Sequence, residues 1–162
     1  MKFLEQHKIV HCFPASILDE CEDMFEGNLV SDVIHLDHYR ECTFIFIKCE
    51  GGAGTADVTI NSCSDAAGTT AADVAFMYRE VTAPDTHGAW TSGASTGVSI
   101  SAGADEIWEF RVNADGLDGT DEYVKCTATE DNSGAVDGAA FAILTDPRYI
   151  DSDPDTAGSD VD

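Results

Sequence analysis

The sequence predicts an all-β protein built as an antiparallel sandwich or barrel. Between Glu41 and Thr145, short apolar segments alternate in hydrophobicity with a period of two, which is typical of half-buried strands. Segments rich in Gly, Ala, Ser, Thr and Asp separate them about every 8–13 residues, a spacing typical of sandwiches and barrels. No long helical pattern appears between Arg40 and the acidic end of the chain. Alternating strands and helices are therefore not predicted.

Residues 1–28 are predicted to form an N-terminal arm and a short helix. Lys8–Phe13 favours a short strand ahead of Pro14. Ser16 is a suitable N-cap, and Gly27 ends the helix. Five apolar residues between them follow helical spacing: Ile17, Leu18, Cys21, Met24 and Phe25.

The sandwich domain is predicted to span residues 29–146, and its first strand is Leu29–Leu36. Glu41–Cys49 follows and is apolar on both faces, so we expect a central strand that is covered on both sides. In Ala56–Cys63 aliphatic residues alternate with Thr and Asn. In Asp73–Glu80 three apolar residues share one face.

The second half of the domain begins with residues 82–96, which are polar and predict a loop around Trp90. Gly97–Ser101 is a short strand, and Glu106–Val112 alternates clearly between apolar and charged residues. Two more strands, Glu122–Thr129 and Gly138–Thr145, bring the total to eight or nine. Six aromatic residues are predicted to be largely buried: Phe44, Phe46, Phe76, Trp108, Phe110 and Phe141.

The charge of the chain excludes two classes of partner. With 31 acidic and 8 basic residues, the net charge is −23. Such a surface repels the phosphates of nucleic acids and the anionic surface of a membrane, so we expect neither as a partner. Two interpretations of the acidity stay open. It suits a salty medium, where screening removes the repulsion, or it meets a basic partner.

The cysteines and the apolar runs indicate the compartment. No signal peptide is recognisable, and no run approaches the roughly 18 apolar residues of a transmembrane helix. We therefore expect synthesis in the cytoplasm, where thiols stay reduced. The six cysteines show no Cys-x-x-Cys spacing, which favours buried thiols over disulfides: Cys12, Cys21, Cys42, Cys49, Cys63 and Cys126.

Two segments are candidates for metal binding, and neither has a strong pattern. His35 and His38 lie near Glu41, but residues three apart face opposite sides of a strand, so a polar strand end is the favoured interpretation. Asn113–Glu122 is rich in carboxylates and glycine, which suits calcium, but it lacks the EF-hand spacing. We interpret it as a β-hairpin loop. With no nucleophile or phosphate-loop motif either, we predict no catalytic residues, no metal and no cofactor.

The order of these segments resembles small virion proteins of tailed bacteriophages, and capsid decoration (cement) proteins in particular. The resemblance rests on an arm, an apolar strand at Thr43–Ile47, Gly/Ala/Thr loops and a closing Phe141–Tyr149. It implies a jelly-roll-like sandwich, usually trimeric, that is clamped onto the outside of the capsid by contacts with the major capsid protein. It implies no catalytic residues.

That resemblance directs attention to the termini, which would contact other chains. Residues 147–162 form an acidic tail with five Asp from Asp151 onward, and such a segment cannot bury enough apolar surface to order itself. We expect residues 1–15 and 147–162 to be ordered by contacts between chains. The predicted contact residues are Phe3, Phe13, Trp90, Arg148, Tyr149, Asp151, Asp153 and Asp155.

Two other functions stay open at this point. A β-sandwich binding module, such as an adhesin or a carbohydrate-binding domain, would use exposed aromatic residues. A metal-dependent jelly-roll enzyme would need a histidine and carboxylate site.

Overall fold

The computed structural model describes residues 7–14, 23–51, 54–103, 105–132 and 134–148. In these residues two antiparallel sheets pack face to face, which confirms the predicted sandwich. The described part of the chain contains thirteen strands and one 3-10 turn, Ala114–Gly116, and no α-helix. None of its helical segments is long and apolar enough to cross a lipid bilayer.

The strands vary from two to thirteen residues in length. In chain order they are β1 His7–Val10, β2 Asn28–Val30, β3 Ile34–His35, β4 Tyr39–Gly51, β5 Thr55–Cys63, β6 Ala71–Asp73, β7 Phe76–Ala83, β8 Thr86–His87, β9 Thr91–Gly93, β10 Val98–Ile100, β11 Glu106–Asn113, β12 Tyr123–Asn132 and β13 Val136–Pro147.

The strand order is that of a jelly roll. The first sheet has the order β1-β13-β4-β11-β7-β8, and β9 also pairs with β7. The second sheet has the order β10-β5-β12-β2, with β3 paired to β12 and β6 paired to β5. Thus the first strand lies beside the last, and β1-β13-β4-β11 faces β2-β12-β5-β10 as the two halves of a double Greek key. The insertion β7–β9 widens the first sheet.

The core is aromatic on the side of the first sheet. Phe44 and Phe46 of β4 and Phe110 of β11 are completely buried. The ring of Phe46 meets Phe110 edge to face at 5.6 Å and Phe13 at 5.5 Å between centroids. Edge-to-face pairs contribute about 0.5–1.5 kcal/mol beyond the area that they bury.

The second sheet supplies smaller side chains to the same core. Its buried residues alternate with polar ones along β5 and β12, as predicted for the first of these strands: Ala56, Val58, Ile60, Val124, Cys126 and Ala128. Small residues opposite large rings let the two layers interdigitate at the density of a protein interior.

Two segments differ from their predicted strands. The strand expected at 29–36 is divided into β2 and β3, because Ser31 and Asp32 donate their N–H groups to Cys126 and Cys12 outside the regular ladder. The loop expected at 82–96 contains the short strands β8 and β9. Strands of two or three residues are too short to show an alternating pattern.

The predicted helix falls mainly on residues 15–22, which lie outside the described residues. Its expected last turn is not helical. Asp23 forms a β-bridge with Asp137, and Met24 donates its N–H to the carbonyl of Val136 at 2.7 Å. The apolar spacing that suggested a helix buries Met24 and Phe25 against the core instead.

A buried lysine closes one end of the first sheet. The Lys48 side chain is fully buried, donates to the carbonyl of Ser101 and lies 3.8 Å from Glu106. Burial lowers the pKa of Lys48, while Glu106 and Glu80 act in the opposite direction. Trp108 Nε1 also donates to Glu106 at 3.2 Å. The Lys48 ammonium group therefore offsets the negative charge of two carboxylates, Glu106 and Glu80.

Replacing Lys48 with Met should lower the free energy of unfolding by about 3 kcal/mol, because it leaves Glu106, whose side chain is only 15% exposed, without its counter-charge. Urea denaturation checks this value. The matched control is Lys125→Met, which removes one hydrogen bond to the Gly68 carbonyl and should cost about 0.5–1.5 kcal/mol. Equal losses for both variants would contradict the compensating role of Lys48.

Four of the five described cysteines are buried thiols, and Cys49 is exposed. Burial raises the pKa of Cys12 to about 12 and raises the pKa of Cys42 and Cys126 well above the ordinary range. These three groups are therefore unreactive in the folded chain.

A thiol reagent added to the folded protein should modify Cys49 and leave Cys12, Cys42, Cys63 and Cys126 unmodified. Peptide mapping by mass spectrometry locates the label. After unfolding without reductant, all six cysteines should react, because we predict that no disulfide forms. Fewer than six labelled thiols at that stage would show a disulfide.

Candidate functional site

The outer face of the second sheet is polar. Its central strands pair Thr59 with Thr127 and Asn61 with Lys125. Asp57 and Thr129 extend the same row, and the apolar Val30 lies at the edge. An antiparallel sheet with one face on the core and one face in water shows this pattern.

The outer face of the first sheet combines charged residues with a group of neighbouring apolar side chains. We call this group the apolar face and define it by six residues: Ile9, Ile45, Ile47, Ile107, Phe141 and Ile143. The register places Ile9 beside Ile143, Phe141 beside Ile45, and Ile47 beside Ile107, so the side chains are contiguous across four strands. Ile9 is 57% exposed and the others are half-buried. Within the described residues, no third layer covers them.

Two sequence predictions about these residues are wrong, one in part and one fully. The strand β4 is central in its sheet, as expected, but it is covered fully on one side only, because only one sheet packs on it. Phe141 was predicted to be a core residue and is half-buried on the apolar face. Its neighbours Ala140 and Ala142 point inward in its place.

Trp90 lies over the same sheet, held by two arginines. The guanidinium carbon of Arg79 is 4.5 Å from the centroid of the Trp90 ring, and that of Arg111 is 4.3 Å away. Arg79 also donates from Nε to Glu109 at 2.7 Å. Cation–π contacts of this kind contribute about 0.5–1 kcal/mol at exposed sites.

Arg79 and Arg111 both contact Trp90, but they differ in their ion pairs. Among the described residues, no carboxylate lies within ion-pair distance of Arg111. Its planar group stacks on Trp90, and its N–H donors remain available to a carboxylate from elsewhere.

An open groove joins Trp90 to the apolar face. It is lined by Ile45, Ile143, Arg79, Trp90, Arg111 and the carboxylates Glu41, Glu109 and Asp146, among others. Two arginines thus face three carboxylates. For a chain with 31 acidic and 8 basic residues, this groove is close to charge balance.

The predicted contact residues lie in different places. Trp90 is half-buried in the groove, and Arg148 is exposed at the end of β13. Phe13 is a core residue instead, 3% exposed, because it packs against Phe44 and Phe46. The remaining predictions lie outside the described residues: Phe3, Tyr149, Asp151, Asp153 and Asp155.

Arg148 lines a cleft at one end of the sandwich together with Asp37, Asp121 and Glu122. Asp121 accepts a hydrogen bond from the Ser62 hydroxyl at 2.6 Å. Glu122 lies 3.4 Å from His35 and Asp37 lies 3.8 Å from His38, and Arg148 adds a positive charge to the cleft. Among the described residues, no group of three or more His, Cys, Asp or Glu is arranged to hold a metal ion.

The histidines and the acidic loop have structural contacts. His35 stacks on Tyr123 at 4.4 Å and lies 3.4 Å from Glu122. The loop 113–122 was interpreted as a hairpin, but it carries the chain from β11 in the first sheet to β12 in the second. Asn113 begins the 3-10 turn by accepting a hydrogen bond from the N–H of Asp115.

No protein-family model matches the chain, and no curated protein matches it. The chain is similar to a solved structure described as the SPBc2 prophage-derived protein YomS, with a TM-score of 0.44 and 11% sequence identity, over 86% of this chain and 91% of that chain.

Proposed function

We propose that this chain is a structural protein of a phage particle, which decorates the capsid by binding the lattice of the major capsid protein through the apolar face. The observation that carries the proposal is the contrast between the two outer faces. One is polar and solvated, whereas the other presents aliphatic and aromatic side chains across four strands. A contiguous apolar surface that stays partly open to solvent favours a site of association.

The energy available from the apolar face suits a multivalent attachment. Full burial of one large aliphatic side chain contributes about 1.5–3 kcal/mol relative to full exposure. Because five of the six residues are already half-buried, each copy gains only part of this and must still offset the cost of association. A lattice offers many equivalent sites. We propose that copies also contact each other, as a trimer, so that weak contacts add up.

The charge distribution favours the same orientation. The groove beside the apolar face is close to charge balance, whereas the chain as a whole carries a net charge of −23. A protein surface meets less repulsion at this face than elsewhere. The polar second sheet then faces outward, and an acidic exterior keeps particles apart in solution.

The alternative of a carbohydrate-binding module receives less support from the site. A sugar platform needs an open aromatic ring, but both Arg79 and Arg111 stand over Trp90. Trp108 is 5% exposed and lies between Tyr78 and Phe110 in the core.

Ile45→Asp and Ile143→Asp should each weaken binding to capsids that lack this protein by tenfold or more. A charge placed in an apolar contact costs on the order of 1–3 kcal/mol, and about 1.4 kcal/mol corresponds to tenfold. Co-sedimentation with the capsids measures the affinity. Thr59→Asp on the outer face of the second sheet is the matched control and should bind as the unaltered protein does.

The urea midpoints of all three variants must first be compared, because a loosened fold would also reduce binding. If the two isoleucine variants are folded and still bind the capsid like Thr59→Asp, the apolar face is not the attachment site.

A further inference from the structure

We propose that Arg111 determines the specificity of the capsid contact, and that Trp90 holds its guanidinium group ready to receive a carboxylate from the major capsid protein. The inference rests on the proposed function and deepens it by naming the chemistry of the partner surface. That surface presents an aspartate or glutamate side chain next to apolar residues. The contact lies in the groove that joins Trp90 to the apolar face.

Arg111 and Glu41 carry opposite charges on the same face of the first sheet. Strand β11 pairs with β4 so that Arg111 lies opposite Thr43, two residues from Glu41, and all three side chains line the groove. Diagonal neighbours on paired strands lie about 7–8 Å apart, within reach of long side chains. Among the ion pairs of the described residues, however, none joins Arg111 to Glu41.

Contacts on opposite sides of the groove hold these two side chains apart. Arg111 stacks on Trp90, with its guanidinium carbon 4.3 Å from the ring centroid. Glu41 accepts a hydrogen bond from the Thr145 hydroxyl at 3.3 Å. Thr145 belongs to β13, and Trp90 directly precedes β9, which lies beyond β7 on the other side of the β4–β11 pair. Arg111 is therefore turned away from Glu41.

The other two carboxylates of the groove have ion-pair partners. Glu109 accepts a hydrogen bond from Nε of Arg79 at 2.7 Å, and Asp146 lies 4.0 Å from Nε of Arg40. Of the two arginines that line the groove, Arg111 is the one without an ion pair among the described residues. An additional carboxylate is therefore favoured at Arg111.

A capsid that covers the apolar face also removes water from this groove, because Ile45 and Ile143 line it together with Arg111. A guanidinium group that loses water without gaining a partner is unfavourable. A carboxylate offsets this cost by accepting two parallel hydrogen bonds from the planar fork. A partner surface that covers the two isoleucines is thus favoured when it places an acidic side chain at Arg111, and this match selects the partner and its orientation.

Arg111→Gln should weaken binding to capsids that lack this protein by about tenfold, because a charge-assisted hydrogen bond is lost. Co-sedimentation at about 0.1 M and about 1 M salt measures the affinity. The loss should be smaller at the higher concentration, where the attraction is screened. The charge-matched control is Lys125→Gln on the outer face of the second sheet, which should bind as the unaltered protein does at both concentrations.

Trp90→Leu tests how the guanidinium group is positioned. Without the ring, Arg111 can reach Glu41 on β4, so capsid binding should fall although Arg111 is present. Adding Glu41→Gln removes the competing carboxylate and should restore part of the affinity, whereas Glu41→Gln alone should leave it unchanged. The urea midpoint of each variant shows that it is folded before its binding is compared.

Three results would overturn the proposal. Equal capsid affinities of Arg111→Gln and Lys125→Gln would show that no carboxylate meets Arg111. Loss of binding in Trp90→Leu without rescue by Glu41→Gln would show that the indole ring itself contacts the capsid. An effect of Arg111→Gln on self-association, measured by sedimentation velocity, with an unchanged capsid affinity would assign the contact to a second copy of the chain.

Failure of the proposed function gives a different result. If Ile45→Asp weakens capsid binding and Arg111→Gln does not, attachment through the apolar face stands and the carboxylate contact is wrong. If Arg111→Gln weakens binding and Ile45→Asp does not, the carboxylate contact stands and attachment through the apolar face is wrong. Unchanged binding of both variants would contradict both proposals.

Discussion

The packing of β4 at the centre of the first sheet is the constraint on which the rest of the structure depends. Its inward residues Phe44 and Phe46 are completely buried against Phe13, Phe110 and the aliphatic residues of the second sheet. Because side chains alternate along a strand, fixing these rings inside fixes Ile45 and Ile47 outside. A register shift of one residue would exchange two aromatic rings for two aliphatic side chains in the core.

The fold therefore determines which residues lie on the outer face of the first sheet, but it does not require those residues to be apolar. A two-layer sandwich needs only one apolar face on each sheet, and the second sheet follows this rule with threonine, asparagine and lysine outside. In the first sheet, isoleucine and phenylalanine occupy outward positions on β1, β4, β11 and β13. The fold does not require them there. We propose that a layer from outside the sandwich, the capsid surface, covers them.

Much of the fold can be predicted from the sequence, because apolar and polar residues alternate visibly along the long strands. In β11 the residues Trp108, Phe110 and Val112 alternate with Glu109 and Arg111, and the structure buries the first three as predicted. Phe141 was misplaced because Phe-Ala-Ile-Leu is apolar at every position, so alternation cannot identify its inner face. The division of the 29–36 strand depends on backbone hydrogen bonds to distant residues, which leave no local pattern.

The site was less predictable than the fold. Trp90 was predicted as a contact residue because it lies in a polar segment, whereas Trp108 lies on the inward side of a strand. Its two arginines were not, because Arg79 and Arg111 lie on different strands and meet only through the pairing of β7 with β11. The residues of the apolar face are likewise brought together only by the pairing of strands that are distant in sequence. This arrangement depends on the register between β13 and β4, which are separated by most of the domain in sequence.

Side-chain oxidation by hydroxyl radicals, compared between the free protein and the protein bound to capsids, tests the central claim most directly. We predict that Ile9, Ile45, Phe141 and Ile143 lose reactivity on the particle, while Tyr123 on the outer face of the second sheet keeps it. Protection of Tyr123 with unchanged oxidation of the four residues of the apolar face would contradict the account, because it would show that the protein binds through its polar sheet.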